Sequence, residues 1–196
     1  MANGRSLKVV KEQNPFAAQA VKKLSIACGQ NKPAGFKGID LAGDADIQHD
    51  LFKFPWPIKT SSVQEVECSH FVEHIPHRLP GINRDVWWAF FDELHRVLKK
   101  GGTATIVHPY SRSDRAFWDP THERFIHEMT WHYLNKEWRE MNKLDHYPVS
   151  CDFEIVTING VGLDPGYESR NAEQQQYMTR HYFNVLADLQ VTLQAR

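Results

Sequence analysis

The chain is short of cysteine, of long apolar runs and of net charge, and each shortage excludes something. Its three cysteines, Cys28, Cys68 and Cys151, are an odd number without a CxxC pair, so a disulfide framework is not expected. They sit in apolar stretches, as buried thiols of a reducing compartment do. No segment approaches the roughly 18 apolar residues that span a bilayer. The N-terminal MANGRSLKVVKEQNPF lacks the apolar core of a secretory signal, so a cytoplasmic protein with no membrane partner is expected. Lys and Arg number 23 against 24 Asp and Glu, and a formal net charge of −1 provides no bulk field to gather phosphate backbones or anionic lipid. There is no repeat, low-complexity tract or Gly/Ser linker. At 196 residues, two independent domains would each be near the lower limit for burying a core, so one domain over residues 1–196 is expected.

What is present is a series of short strand-like runs followed by one strong helix. Leu24 to Cys28 is an apolar run stopped at Gly29, as befits a parallel strand buried on both faces. Phe36 to Leu41, Asp46 to Leu51 and Ser62 to Ser69 read as three further strands, with the prolines of FPWP closing the third. From Asn83 to Lys100, Trp87, Phe90, Phe91, Leu94, Val97 and Leu98 recur at helical spacing. Asn83 is the expected cap, the lysines suit the last turn, and Gly101-Gly102 is the expected stop before a β-run from Thr103 to His108. Phe117 to Trp138, rich in aromatics and histidine, reads as helix and loop over one end of the sheet. Cys151 to Ile158 and Val185 to Leu193 read as two late strands that pair antiparallel. The pattern is that of an α/β domain with a mixed sheet.

Two strand ends carry chemistry. A small residue or glycine after the first strand, in Ile26-Ala27-Cys28-Gly29, lets a ligand approach the backbone, and Asp40 after the second can accept both hydroxyls of a ribose. Taken alone, a glycine there is a turn residue and an acid a solvated one. The ordered blocks LSIACGQN, GIDL, DIQHDLFKFPWP, SVQEVECSHFVEHI and FFDELHRVLKKGGTATIV, however, resemble the S-adenosylmethionine-dependent methyltransferases, specifically their small Rossmann-like members, over residues 24–107.

That resemblance implies a mostly parallel sheet with an antiparallel C-terminal strand and helices on both faces. Residues 24–110 would be the cofactor-binding half, 1–23 an N-terminal segment, and 111–196 a substrate-side insert with the terminal strands. S-adenosylmethionine is the implied cofactor. Ala27, Cys28 and Gly29 would line its methionine and ribose side, Asp40 the ribose, Asp50 and Leu51 the adenine, and Ser69 and His70 the methyl end. Glu93 to Gly102 is taken as structural. DPTHERF resembles a segment after the fifth strand of some small methyltransferases, phage-borne or environmental ones among them, which puts Asp119 and His122 on the substrate side, where Tyr110 is also expected. The family's first block carries more glycines than Gly29-Gln30-Asn31-Lys32 does. Only a loop or single turn fits between Gly29 and Gly38, so the first crossover helix is shortened or absent.

Metal ligation is not expected. His70-Phe71-Val72-Glu73-His74 matches the H-x-x-E-H pattern of zinc hydrolases, but that pattern needs a continuous helix and here it meets Pro76. HERFIH and HEMTWH each put the second histidine five positions on, about 140° around a helix. Neither DNA-methylation signature is present: no D/N/S-P-P-aromatic block follows the fourth strand, and no cysteine follows proline. The tryptophans Trp87, Trp88 and Trp118 are expected mainly in the core rather than stacked on bases. The expected activity is in-line methyl transfer to an oxygen or nitrogen acceptor, with His70, His108 and His122 as candidate bases. A degenerate fold serving as a non-catalytic binding module is the alternative, with a zinc hydrolase using His70-Phe71-Val72-Glu73-His74 ranked below it. The acceptor and the oligomeric state are not legible in the sequence.

Overall fold

In the computed structural model, which describes residues 18–41, 45–162 and 164–196, seven strands form one sheet in the order β3-β2-β1-β4-β5-β7-β6. They are β1 (Lys23–Ile26), β2 (Lys37–Asp40), β3 (Ile47–Gln48), β4 (Val63–Ser69), β5 (Leu98–Pro109), β6 (Phe153–Gly162) and β7 (Leu186–Ala195). The first five run parallel, and β7 is antiparallel to both β5 and β6. The late strands therefore pair as expected, with β7 inserted between β5 and β6 and only β6 on the edge. The turn from Ala27 to Phe36 carries no helix, as the short spacing requires. The reading of the N-terminal segment falls largely on residues 1–17, outside the described ones. Among the described residues no helix is long and apolar enough to cross a membrane.

Helix α1 (Val86–Val97) is shorter than its apolar period implied. Asp85, not Asn83, caps it by accepting from the Trp87 amide at 2.8 Å. At the other end the chain is already extended at Leu98, so Lys99 to Gly102 belong to β5 and His95 and Arg96 occupy the last turn. Gly102 ends no helix. It lies where β5 crosses close to β4: a Cβ there would be 2.9 Å from the Lys99 carbonyl oxygen and 3.0 Å from that of Val63.

The α1 stripe of Trp87, Phe90, Phe91 and Leu94 packs with Trp56, Phe71 and Trp131 above the sheet face that carries Leu24, Ile26, Val66, Ala104 and Ile106. Each such side chain, fully buried, contributes roughly 1.5–3 kcal/mol. The alternate residues Glu65, Glu67, Thr103, Thr105 and Thr192 are polar and half-buried. The histidine-rich stretch is largely irregular: 3-10 turns at Asp114–Ala116 and Glu128–Leu134 precede α2 (Lys136–Met141). Helix α3 (Ala172–His181), capped reciprocally by Asn171 and Gln174, was not foreseen because its moment is weak and only Met178 is buried. All three cysteines are buried free thiols. Trp87 is buried, whereas Trp118 is 69% exposed.

Candidate active site

Register places the expected residues in one row. Ile26 pairs with Ile39 on one side and Cys68 on the other, and Ser69 pairs with Val107. Asp40, Ala27, Ser69 and Val107 therefore stand side by side at the carboxyl edge of β2, β1, β4 and β5. The chain fills the sheet to one side of β1 with β2 and β3, then crosses to the other with β4 and β5. Open α/β sheets bind ligands in the crevice at such a reversal.

Both strands flanking the reversal end on a non-glycine residue in the left-handed region, Ala27 and His70, each at φ 51°. That backbone costs about 1–2 kcal/mol per residue and turns each chain abruptly off its strand. Gly29 follows at φ 46° and donates its amide to Asp40 Oδ2 at 2.9 Å, tying the first turn to the second strand end. Between them Cys28 is buried, packed so tightly over β2 that a Cβ on Gly38 would stand 2.4 Å from its Sγ. Burial, then the neighbouring Asp40, push the Cys28 thiol up, so it stays neutral. Asp46 accepts from the Gly38 amide at 2.7 Å and from Lys32 Nζ at 2.5 Å, bracing the same turn. This cradle fits a nucleoside cofactor: a carboxylate at the second strand end, a backbone turn left open by Ala27 and Gly29, and Leu41, 66% exposed, immediately after Asp40. Leu41 carries no signal in the sequence, because an apolar residue after a strand has no motif. Leu51, assigned there to the adenine, points into the core at 5% exposure, and Asp50 caps the Phe52 amide at 3.0 Å.

Past β4, Ser69 and His70 are exposed and the chain makes a 3-10 turn at Val72–His74, too short for the helix a zinc-protease motif needs. His70 Nδ1 lies 3.3 Å from Glu73 Oε1, and that hydrogen bond raises the histidine's pKa. Glu73 itself is 2% exposed, and its Oε2 has no hydrogen-bond partner. The segment from Asp119 to Arg124 lies against this turn: the amides of Glu123 and Arg124 both donate to the Glu73 carbonyl, at 2.9 and 3.0 Å. His122 thereby reaches His74, their rings 4.8 Å apart and edge to face. Asp119 accepts from the Thr121 hydroxyl and amide, which hold its carboxyl below the usual range.

The remaining expected residues sit deeper. His108 is fully buried against Trp131; its Nδ1 donates to the Pro109 carbonyl at 2.8 Å, and burial lowers its pKa to about 4. It is a neutral wall residue. Tyr110 is buried, and burial together with Glu128 holds its hydroxyl protonated. Asp188, raised by burial, pairs with Arg115 at 2.9 Å beside the end of β5. The structure thus gathers His70, Glu73, His74, Asp119 and His122, and leaves His108 and Tyr110 outside that group. The Glu123–Arg124 strap also lines a groove of about 460 Å³ with Trp88, Met129, Tyr133, Tyr147 and Asp85.

A parallel 3-2-1-4-5 sheet completed by an antiparallel β7 within the β6 edge, with its crevice at β1, defines the Rossmann-like fold of S-adenosylmethionine-dependent methyltransferases. The first of three similar solved structures bears the fold out. A SAM-dependent methyltransferase from Archaeoglobus fulgidus matches with a TM-score of 0.53 and 16% identity, over 92% of this chain and 88% of that one. An S-adenosylmethionine-dependent methyltransferase from Mesorhizobium loti matches with a TM-score of 0.47 and 14% identity, over 91% and 92%. The geranyl diphosphate C-methyltransferase of Streptomyces coelicolor matches at 0.49 and 13%, over 92% and 74%. No protein-family model matches the sequence, and no curated protein does. At such identities the likeness establishes the fold.

Proposed function

We propose that the chain binds S-adenosylmethionine across the carboxyl ends of β1, β2 and β4 and transfers its methyl group to a nucleophilic oxygen or nitrogen. The observation that carries this reading is the Gly29 amide held on the Asp40 carboxylate across the ends of β1 and β2, beside the reversal point where β1 and β4 both turn off through left-handed backbone. Ala27, Cys28 and Gly29 line the cofactor's backbone side, Asp40 takes the ribose hydroxyls, and Ser69 and His70 border its reactive end. When bound, the cofactor supplies a sulfonium-activated methyl group. The chain's own part is alignment and exclusion of water, with a base required only for an acceptor that must lose a proton. Of the three candidate bases, His70 and His122 belong to the cluster at the end of β4, while His108 supports it from within the wall.

Titration calorimetry with S-adenosylmethionine and S-adenosylhomocysteine tests the assignment. Wild type binds both, and Asp40→Ala weakens both at least ten-fold while its circular dichroism is unchanged. Equal affinity in the variant removes Asp40 from the site. No binding by wild type favours the non-catalytic module.

A further inference from the structure

The structure assigns a mononuclear site for a divalent transition metal to Glu73, His74 and His122. One ligand atom from each residue lies within 4.8 Å of the other two. A tetrahedral ion held at about 2.1 Å sets its ligands about 3.4 Å apart, a contraction that small side-chain rotations supply. Both imidazoles already have the polarity a metal needs. His122 Nδ1 is 3.0 Å from the Ala116 carbonyl, which only accepts, so that nitrogen carries the proton and Nε2 the lone pair. His74 Nδ1 faces the Thr121 carbonyl at 3.3 Å and the Thr121 hydroxyl at 3.0 Å. That hydroxyl spends its own proton on Asp119 at 2.7 Å, so it too accepts from His74, and the His74 lone pair also resides on Nε2. Metal-binding histidines are held in this way, the outer nitrogen donating to a carbonyl or a carboxylate-linked group.

The third ligand supplies an independent indication. Glu73 is 2% exposed; Oε1 is taken up by His70, and Oε2 is buried with no partner in the protein. A buried carboxylate oxygen left bare is costly, and a cation between it and two imidazole lone pairs removes the cost. The ligand-bearing segments are also pre-assembled. The Glu73 carbonyl receives the amides of Glu123 and Arg124, and the Arg124 guanidinium bonds the carbonyls of Ile75 and Pro76 and the Asp85 carboxylate. His74 is only half-buried, which leaves a route for the ion.

Two imidazoles and one carboxylate suit zinc, iron, cobalt or manganese rather than calcium, and they leave at least one coordination position open for water or a substrate oxygen. On the methyl-transfer reading, on which this last step alone rests, that position serves an oxygen of the methyl acceptor at the end of β4. Neither histidine-rich segment satisfies a metal pattern by itself. The site exists because the fold sets one against the other.

Tag-free, chelator-stripped protein is titrated with Co2+ alone, followed by calorimetry and by the visible d–d absorption. Wild type takes up one equivalent with the bands of a low-coordinate nitrogen–oxygen site. Glu73→Gln, which keeps shape and fold, and His122→Ala each weaken uptake ten-fold or more, and His146→Ala, an exposed histidine elsewhere, does not. No uptake by wild type, uptake undiminished in Glu73→Gln or His122→Ala, or an equal loss in His146→Ala overturns the site. S-adenosylmethionine affinity measured on the same samples separates the two readings: Co2+ uptake without cofactor binding keeps the metal site and removes only its role toward an acceptor.

Discussion

Placing a methyl group on Gly38 tests how the first turn is held over β2. Nothing in the Gly38 backbone opposes alanine, since its φ lies outside the left-handed region and the residue sits inside a strand. The obstacle is Cys28, whose Sγ would stand 2.4 Å from the new Cβ; the next atoms, Lys32 Cδ at 3.2 Å and Cys28 Cβ at 3.3 Å, need give only tenths of an ångström. Overpacking of this kind costs about 1–3 kcal/mol. For a domain of this size, about 2 kcal/mol lowers Tm by roughly 4–8 °C. Removing Sγ should reverse the sign. In a Cys28→Ala background the clash is gone, and replacing a strand glycine by alanine stabilises by roughly 0.5–1 kcal/mol through the unfolded chain. A double-mutant cycle by urea unfolding should therefore give a coupling of about 2–3 kcal/mol between the two positions. Because Cys28 lies between Ala27 and Gly29, Gly38→Ala alone also pushes the turn away from Asp40. Equal costs of Gly38→Ala in both backgrounds would refute the packing argument.

Two further predictions concern the frame around the site. Glu93 accepts from the Trp56 amide at 2.5 Å and from Arg96 Nη2 and Nε at 2.6 and 2.8 Å while 6% exposed, so Glu93→Ala strands a buried amide and should cost about 3 kcal/mol. Its S-adenosylmethionine affinity by calorimetry should stay at the wild-type value, and a ten-fold loss would contradict a purely structural role. His108 makes stability depend on acid. Its folded pKa of about 4 lies below the unfolded value near 6.5, so the unfolded chain binds the extra proton first. The stabilisation is complete above about pH 6.5 and declines as pH falls through 4, with about 2.5 kcal/mol lost by pH 4.5. Glu73, His70 and Glu128 are the other charges acting on it. The fall in unfolding free energy between pH 7 and 4.5 should be smaller by about that amount in His108→Leu; an unchanged fall would place the acid sensitivity elsewhere.

The half of the site nearest β1 was legible because its determinants are local. Leu24 to Gly29 and Gly38 to Asp40 are single runs whose composition already states strand, stop and acid, and the spacing between Gly29 and Gly38 forbids a helix. The end of α1 was misread for an equally physical reason. Lys99 to Gly102 carry the signals of a helix terminus, but Gly102 is required by the close passage of β5 over Val63, a tertiary contact absent from any local pattern, and Gly101 by its left-handed backbone within the strand. Helix α3 escaped because it buries one residue and so leaves no apolar stripe.

The Glu73, His74 and His122 cluster was illegible in a different sense. Each segment, tested against the spacing of a single helix, fails correctly: the first is a three-residue 3-10 turn and the second is not helical at His122. Their meeting depends on two amide hydrogen bonds to one carbonyl, that of Glu73, made by residues 50 and 51 positions away. The carboxyl edge of β4 delivers the first segment and the excursion after β5 returns the second over it. The carboxyl edge of the sheet carries the proposed nucleoside cradle at the ends of β1 and β2 and the histidine–carboxylate cluster beyond the end of β4. The three-residue step from an open left-handed corner at His70 to a buried, half-satisfied acid at Glu73 is where cofactor chemistry and acceptor chemistry would have to meet. Backbone strain and an unpaired carboxylate oxygen, both costly to folding, are concentrated at that step.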